Sequence, residues 1–247
     1  MKLSKTKESI YASLSTAKMR RKHGLFIVEG AKSVYDTIDT FEAEALIVGK
    51  NTQINDISFT DKIFEADDSQ LQHISRQQSL PDMIAIYKLP QREEQIPELK
   101  TGHLYVVLDG IQDPGNMGTI IRTSHWFGVN TIFASIDTVD LYNPKVIQST
   151  MGSLGRVRVI YCDIKALLER NNHIPVYGTL LDGKNIYQAK LMDTGFIIFG
   201  NEGNGISEPI RKLVNKPLLI PPYNHNHSES LNVGVAAGIT LAMFRKE

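Results

Sequence analysis

The stretch LYVVLDGIQDPGNMGTIIR, residues 104–122, decides how this chain folds. Its first five residues, Leu104–Leu108, are apolar without alternation. A strand with one wet face alternates, whereas a continuous apolar run is buried on both faces. The segment that follows, Asp109–Arg122, is polar, carries Gly110, Gly115 and Gly118, and leads into a helix predicted over Met117–Trp126. Strand, glycine loop and helix form the repeating unit of a parallel sheet covered by helices. Outward from this stretch the pattern recurs. Strands are expected at Thr131–Ala134, Val157–Tyr161, Val176–Leu180, Phe196–Phe199 and Pro217–Ile220, and helices at Pro144–Met151, Ile164–Arg170, Glu208–Val214 and Asn232–Phe244. Two more polar segments follow strands and open helices: GNEGNGIS at 200–207 and IPPYNHNHSESLNVG at 220–234. In such a sheet ligands gather beyond the carboxyl ends of the strands. Helix starts and glycine turns there offer backbone N–H groups to polar ligands.

Toward the N-terminus the pattern is mixed. Ile10, Leu14 and Ala17 fall at helical spacing within residues 6–20, LFIVE at 25–29 reads as a strand, and Ala31–Ile38 as a helix. Ala45–Val48 is a further apolar run, Asp67–Ile74 a helix with an aspartate at its start, and Asp82–Tyr87 a closing strand. The segment PQREEQIPELKT, residues 90–101, has two prolines and little apolar content. It divides the chain into a small α/β domain at 1–89, a linker at 90–101 and a larger α/β domain at 102–247.

Composition narrows the function. With 247 residues, 42% hydrophobic and 22% charged, the chain is an ordinary folded protein of one or two domains. Its single cysteine, Cys162, excludes a disulfide framework and a multi-cysteine zinc site. There is no apolar run of transmembrane length, and the N-terminus lacks the apolar core of a secretory signal. The expectation is a reduced, cytoplasmic protein without a membrane partner. The charge is balanced at 27 basic and 27 acidic residues, but unevenly spread. Residues 1–24 hold Lys2, Lys5, Lys7, Lys18, Arg20, Arg21 and Lys22 against Glu8 alone. A basic end on a neutral chain is either an RNA-contacting surface or a solvated helix face. Lys18, Arg20, Arg21 and Lys22 are the candidates for phosphate contact.

Three common motifs are absent. The glycines at 200, 203 and 205 do not follow the dinucleotide fingerprint, and neither a phosphate loop nor a nucleophile elbow occurs. Another ordered set is present. Asn116-Met117-Gly118 precedes Arg122, Phe199–Gly205 reads FGNEGNG, and Ile220-Pro221 precedes Ser230-Leu231-Asn232-Val233. In these three motifs the second domain resembles the TrmH/SpoU branch of the SPOUT RNA 2′-O-ribose methyltransferases, over about 140 residues. The first domain is similar to the L30e-like substrate-binding module that often precedes it, with Phe26–Gly30 as its strand-to-helix entry.

That resemblance implies an α/β fold with a C-terminal trefoil knot, which general topology rules would have discarded. It implies S-adenosylmethionine as cofactor, no metal, a homodimer, and RNA as substrate, with large-subunit (23S) ribosomal RNA favoured by the L30e-like module. Alternatives are a transfer-RNA 2′-O-methyltransferase and a non-catalytic RNA-binding or ribosome-assembly protein on the same fold. The implied catalytic residues are Asn116, Arg122, Glu202, Ser230 and Asn232. The implied cofactor residues are Thr179, Leu180, Gly200, Asn201, Glu202, Gly203, Ile220, Ser230 and Leu231.

Each has a plainer reading. Arg122 either clamps an RNA phosphate and supports the developing alkoxide, or pairs with Asp109 or Asp113 at the surface. Asn116 either holds the ribose or caps the helix before Met117. Glu202 either orients Arg122 or Asn116, or is an exposed loop acid. Ser230 and Asn232 either serve the site or cap the last helix. His225 and His227 lie in a loop that is longer than the family's and lacks glycine, and no cysteine nearby completes a metal site.

Overall fold

The computed structural model describes residues 1–54, 62–90, 96–223 and 230–246. The chain forms two compact units. One comprises residues 1–92 together with 140–155, the other 93–139 and 156–247.

The first unit is built on a four-stranded mixed sheet of β1 (Leu25–Glu29), β2 (Ala43–Gly49), β3 (Ile63–Ala66) and β4 (Met83–Lys88), in the order β1-β4-β2-β3. Only β2 and β3 pair in parallel. The helix expected within 6–20 is two helices, α1 (Lys5–Ser13) and α2 (Ala17–His23). The first ends at Ser13 with Leu14 as its cap, and Thr16 caps the second: its hydroxyl oxygen accepts from Met19 N at 3.4 Å. A hydroxyl that satisfies a new helix start competes with continuation of the old one. On one face of the sheet Leu14, Ile27, Ile47 and Ile86 pack with Leu71 and Ile74 of α4 (Asp68–Ile74). A capping box at Asp67 and Gln70 starts α4.

The opposite face is aromatic. Phe26 contacts Phe41, Tyr87 and Tyr142, with ring centroids 5.1, 5.5 and 4.7 Å apart. Tyr142 belongs to residues 140–155, which the sequence reading assigns to the second domain and which pack with the first unit. That segment carries α6 (Pro144–Thr150) and, by way of Met151 at φ 49, a 3-10 turn at Ser153–Gly155. It fits closely against α3 (Ala31–Thr37) and the turn after it. A Cβ on Gly152 would meet Asp36, and one on Gly155 would meet Thr40 at 2.6 Å.

The second unit is a six-stranded sheet in the order β10-β8-β9-β5-β6-β7, parallel throughout. Its strands are β5 (Leu104–Asp109), β6 (Thr131–Ala134), β7 (Arg158–Tyr161), β8 (Val176–Asn185), β9 (Gly195–Gly200) and β10 (Lys216–Leu219). Every residue of β5 and β9 is buried, as their unbroken apolar runs require. On one face Tyr105, Phe133 and Phe196 meet at 5.7–6.3 Å and pack with Leu167 and Leu168 of α7 (Ile164–Arg170). On the other, α5 (Pro114–Trp126) packs against α9 (Val233–Phe244). Met117, Ile120, Ile121 and Ser124 of α5 are buried at i, i+3, i+4 and i+7, which is one helical face. A short α8 (Glu208–Arg211) precedes β10.

Among the strands that run longer than expected are β8 and β9. β8 reaches Asn185 because, beyond its pairing with β9 at Val176–Gly178, it pairs again with β10 at Lys184 and Asn185 after a register shift, and at Gly183 a Cβ would lie 2.4 Å from the Leu218 backbone. β9 includes Gly195 and Gly200, which its apolar run alone did not mark. Among the described residues no helix is long and apolar enough to cross a membrane.

Candidate active site

Strand order locates the site. From β5 the chain moves outward to β6 and β7, then returns on the far side through β8 and β9. The reversal falls between β5 and β9, and a crevice opens beyond the carboxyl ends at such a switch point. Asp109 and Gly200 pair directly there. The first motif leaves from one strand and the second from its neighbour.

The second motif closes on itself. Asn201 and Gly205 exchange backbone hydrogen bonds at 2.9 Å, and Asn201 Oδ1 accepts from the N–H groups of Gly203 and Asn204 at 2.9 and 3.0 Å. Gly200 admits no side chain, since a Cβ would sit 2.2 Å from the backbone of Gly205 and Ile206. Gly203 is different: its Cβ would meet only Asn201 Oδ1, at 3.6 Å. The loop is held to β5 at both ends. Asn201 Nδ2 donates to Gly110 O at 2.7 Å, and Ser207 N donates to the buried Asp109 carboxylate at 2.7 Å.

Glu202 reaches across to the first motif. Its Oε1 accepts from Asp113 N at 3.1 Å and from Asn116 Nδ2 at 3.0 Å, and its Oε2 accepts from Gln112 N at 3.2 Å. Desolvation pushes its carboxyl up, but the Asn116 amide and the backbone donors of Glu202, Gln112 and Asp113 outweigh this and hold it below the usual carboxylate range. Asn116 passes the connection on, since its Oδ1 accepts from Asn232 Nδ2 at 2.8 Å. Asn232 caps α9, its own Oδ1 accepting from Gly234 N and Val235 N at 2.9 and 3.2 Å. One hydrogen-bonded path, Glu202–Asn116–Asn232, thus joins all three motifs.

Asn116 is not a helix cap. α5 starts three residues earlier than expected, with Asp113 Oδ1 accepting from Asn116 N at 2.8 Å and Pro114 in its first turn. The pair Asp113-Pro114 is itself a helix-start signal, with Pro at the first helical position. Asn232 does cap its helix, and its amide N–H is spent on the site as well. Glu202 is a bonded acid whose partners are Asn116 and the first loop, and it makes no bond to Arg122. Gln112 and Asp113 were missed as partners, because backbone donors leave no mark in side-chain chemistry.

Arg122 lies on the exposed side of α5, six residues after Asn116. It forms neither hydrogen bond nor ion pair with another described residue. The carboxylates of Asp109 and Asp113 are taken by Ser207 N and Asn116 N. Thr179 and Leu180 stand half-buried on β8 beside β9, with Thr179 Oγ1 donating to Ile198 O at 3.2 Å. Ile220 follows β10 and is half-buried, while Ser230 and Leu231, the latter 48% exposed, lead into the cap of α9. His225 and His227 lie outside the described residues.

The basic end of the chain is not uniform. Lys18, Arg21 and Lys22 are exposed on α2, but Arg20 is 2% exposed. Its Nη1 donates to Leu14 O and Ser15 O at 3.0 Å each, and its Nη2 meets Asp140 Oδ2 at 2.7 Å. Arg20 therefore leaves the set of residues that can touch RNA. Consecutive side chains on a helix point in different directions, and Arg20 is the one turned inward, held by the carbonyls just after α1.

Comparison with known proteins agrees with this geometry. Residues 9–85 match the MRM3-like substrate binding domain. A Bacillus subtilis relative, the 23S rRNA (guanosine(2553)-2′-O)-methyltransferase RlmP, is 26% identical over 95% of this chain and 94% of its own length. The 23S rRNA (guanosine-2′-O-)-methyltransferase RlmB of Neisseria meningitidis is 30% identical over 63% of each. A solved structure from Porphyromonas gingivalis, assigned to the TrmH family of RNA methyltransferases, is 31% identical, covers 99% of both chains and superposes with a TM-score of 0.84. The AdoMet-bound rRNA methyltransferase of Sinorhizobium meliloti shares the fold, with a TM-score of 0.86 at 23% identity over 98% of this chain and 95% of its own. Residues 103–242, with all three motifs and the path that joins them, match the SpoU rRNA Methylase family, and the chain belongs to that family.

Proposed function

We propose that this protein transfers a methyl group from S-adenosylmethionine to a ribose 2′-hydroxyl of 23S ribosomal RNA in the cytoplasm, as a homodimer. The observation that carries the reading is the path Glu202–Asn116–Asn232 at the switch point, with Arg122, six residues further along α5, left without a partner among the described residues. The full-length likeness to a 23S rRNA 2′-O-methyltransferase supports the substrate.

The residues present fit the cofactor. Leu180 on β8, Ile220 just after β10 and Leu231 before α9 are partly exposed apolar groups of the kind an adenine ring needs. Thr179, Gly200, Asn201, Gly203 and Ser230 are the small and polar residues that the resemblance assigns to the same ligand. Bound there, the group supplies an electrophilic methyl on a sulfonium. The protein's part is positioning and charge. Arg122 holds an RNA phosphate bidentately and stabilises negative charge as it grows on the 2′-oxygen; a guanidinium gives hydrogen bonds but no base, so the 2′-hydroxyl proton passes to that phosphate or to water. Asn116 fixes the ribose. Glu202 touches no substrate. It is a positioning residue that sets the amide of Asn116 and the start of α5.

The test is Arg122→Ala, with methyl transfer to ribosomal RNA and S-adenosylmethionine affinity measured side by side. Transfer should fall roughly 10²–10³-fold with affinity unchanged, and Arg122→Lys should rescue little. Near wild-type transfer overturns the assignment. Failure of the wild type to bind the cofactor favours the non-catalytic alternative.

A further inference from the structure

The first unit contains a cleft of about 590 Å³ that no part of the reaction above uses. It lies between the turn after α4 and the start of α6. Ile27, Pro144 and Ile147 form apolar walls, and Glu29, Arg76 and Lys145 supply charge. Gln77, Gln78, Asn143 and Gln148 add planar amides. Apolar walls with a few convergent polar groups mark a small-ligand pocket, and the size is in the usual range.

Glu29 is the unusual member. Only 9% exposed, it places a carboxylate in a largely dry position. One oxygen accepts the Ser75 hydroxyl, and the other has only a long contact from Arg76 N at 3.5 Å. A carboxylate has about four acceptor sites, so most of its capacity is unfilled. Burial raises its carboxyl above the usual range, which the bonds from Ser75 and Arg76 only partly offset. A desolvated carboxylate gains most from a ligand with two parallel N–H donors. Arg76 gives one N–H to Ala12 O at 3.3 Å and keeps others for the cleft.

We propose that this cleft binds an unpaired guanine of the RNA substrate, with Glu29 accepting from its N1–H and N2–H and Arg76 or Lys145 reaching O6, N7 or the adjoining phosphate. Among the four bases only guanine presents two adjacent N–H donors on its Watson–Crick edge. Adenine and cytosine set one amino group beside an acceptor, and uracil sets one N–H between two carbonyls. Unpaired bases are the usual target of sequence-specific RNA recognition, and cations pair naturally with O6 and N7. The inference rests on the RNA-substrate reading above and names a specificity site within it.

The experiment uses the full chain and labelled uridine heptamers with one central guanosine, inosine or adenosine. The guanosine oligomer should bind roughly tenfold more tightly than the adenosine one, with inosine, which lacks the N2 amino group, between them. Glu29→Gln should bring the three within about twofold of one another, since an amide no longer accepts twice. Should Glu29→Gln fail to fold, the inosine comparison on the wild type decides the matter. Equal binding of all three by the wild type, as phosphate contact alone would give, overturns the proposal. So does an undiminished preference in folded Glu29→Gln. Methyl transfer to ribosomal RNA is measured on the same preparation. Transfer without base preference overturns the guanine pocket alone, whereas base preference without transfer supports the pocket and overturns the catalytic reading.

Discussion

Glu202 shows what a single side chain contributes at this site. Glu202→Gln replaces one acceptor oxygen by a donor and leaves at least one of its three N–H partners unmatched. The cost should be small, about 1 kcal/mol, because water reaches the carboxylate. Its folded-state pKa is depressed, so its contribution is present above the unfolded value, about 4.3, and disappears as pH falls through the lower folded one. Denaturation of both proteins from pH 3 to 7 should show their curves converging at the acid end, and a constant gap would refute this. Arg20 gives the opposite lesson. Arg20→Ala removes one side of a buried ion pair and strands two carbonyls, which should lower stability by about 3 kcal/mol. Replacing Arg21 and Lys22 by alanine should leave stability unchanged, weaken RNA binding, and flatten its salt dependence by about one log–log unit per lost phosphate contact. An unchanged slope would mean that the exposed cations are merely solvated. The three motifs were legible because their residue types and order are distinctive. Their bonding was not, since Asn116 meets Glu202 and Asn232 from 86 and 116 positions away. Nor does charge in a sequence say which of three adjacent cations turns inward.

The legibility of an element depends on how strongly its burial is written. β5 and β6 were read almost to the residue, because strands buried on both faces leave unbroken apolar runs. β3 was missed: it spans four residues, IFEA, with one exposed acid, too short for either period to stand out. The loop between β9 and α8 separates two roles that a glycine count merges. Gly200→Ala should lower thermal stability and disturb the loop, because its Cβ would enter the backbone of Gly205 and Ile206. Gly203→Val has room within the protein, so it should leave stability close to wild type and reduce S-adenosylmethionine affinity only by crowding the ligand. Calorimetric melting and titration on the two variants separate these effects. Equal melting points would show that the close approach at Gly200 relaxes cheaply.

At the scale of the molecule, α9 has apolar residues all round, and its surface includes Val235 at 52% exposure, while Trp126 at the end of its neighbour α5 is 83% exposed. A helix of this kind is expected in a buried setting, and a second copy of the chain is the simplest cover. Sedimentation at micromolar concentration should give the dimer mass, and Trp126→Lys with Val235→Lys should shift it toward the monomer. A monomeric wild type would leave that surface to another partner. The discontinuity of the first unit was the feature least visible in the sequence, because the prolines at 90 and 97 mark a boundary that the packing of 140–155 steps over. It also has a consequence in time. A nascent chain presents Phe26 and Tyr87 long before it can present Tyr142, roughly 50 residues later, or about 3–10 s at ordinary elongation rates. Throughout that interval the aromatic face of the first sheet lacks part of its cover, so its safest partner during synthesis is a chaperone, and its completion depends on the ribosome having already made the strand that begins the next unit.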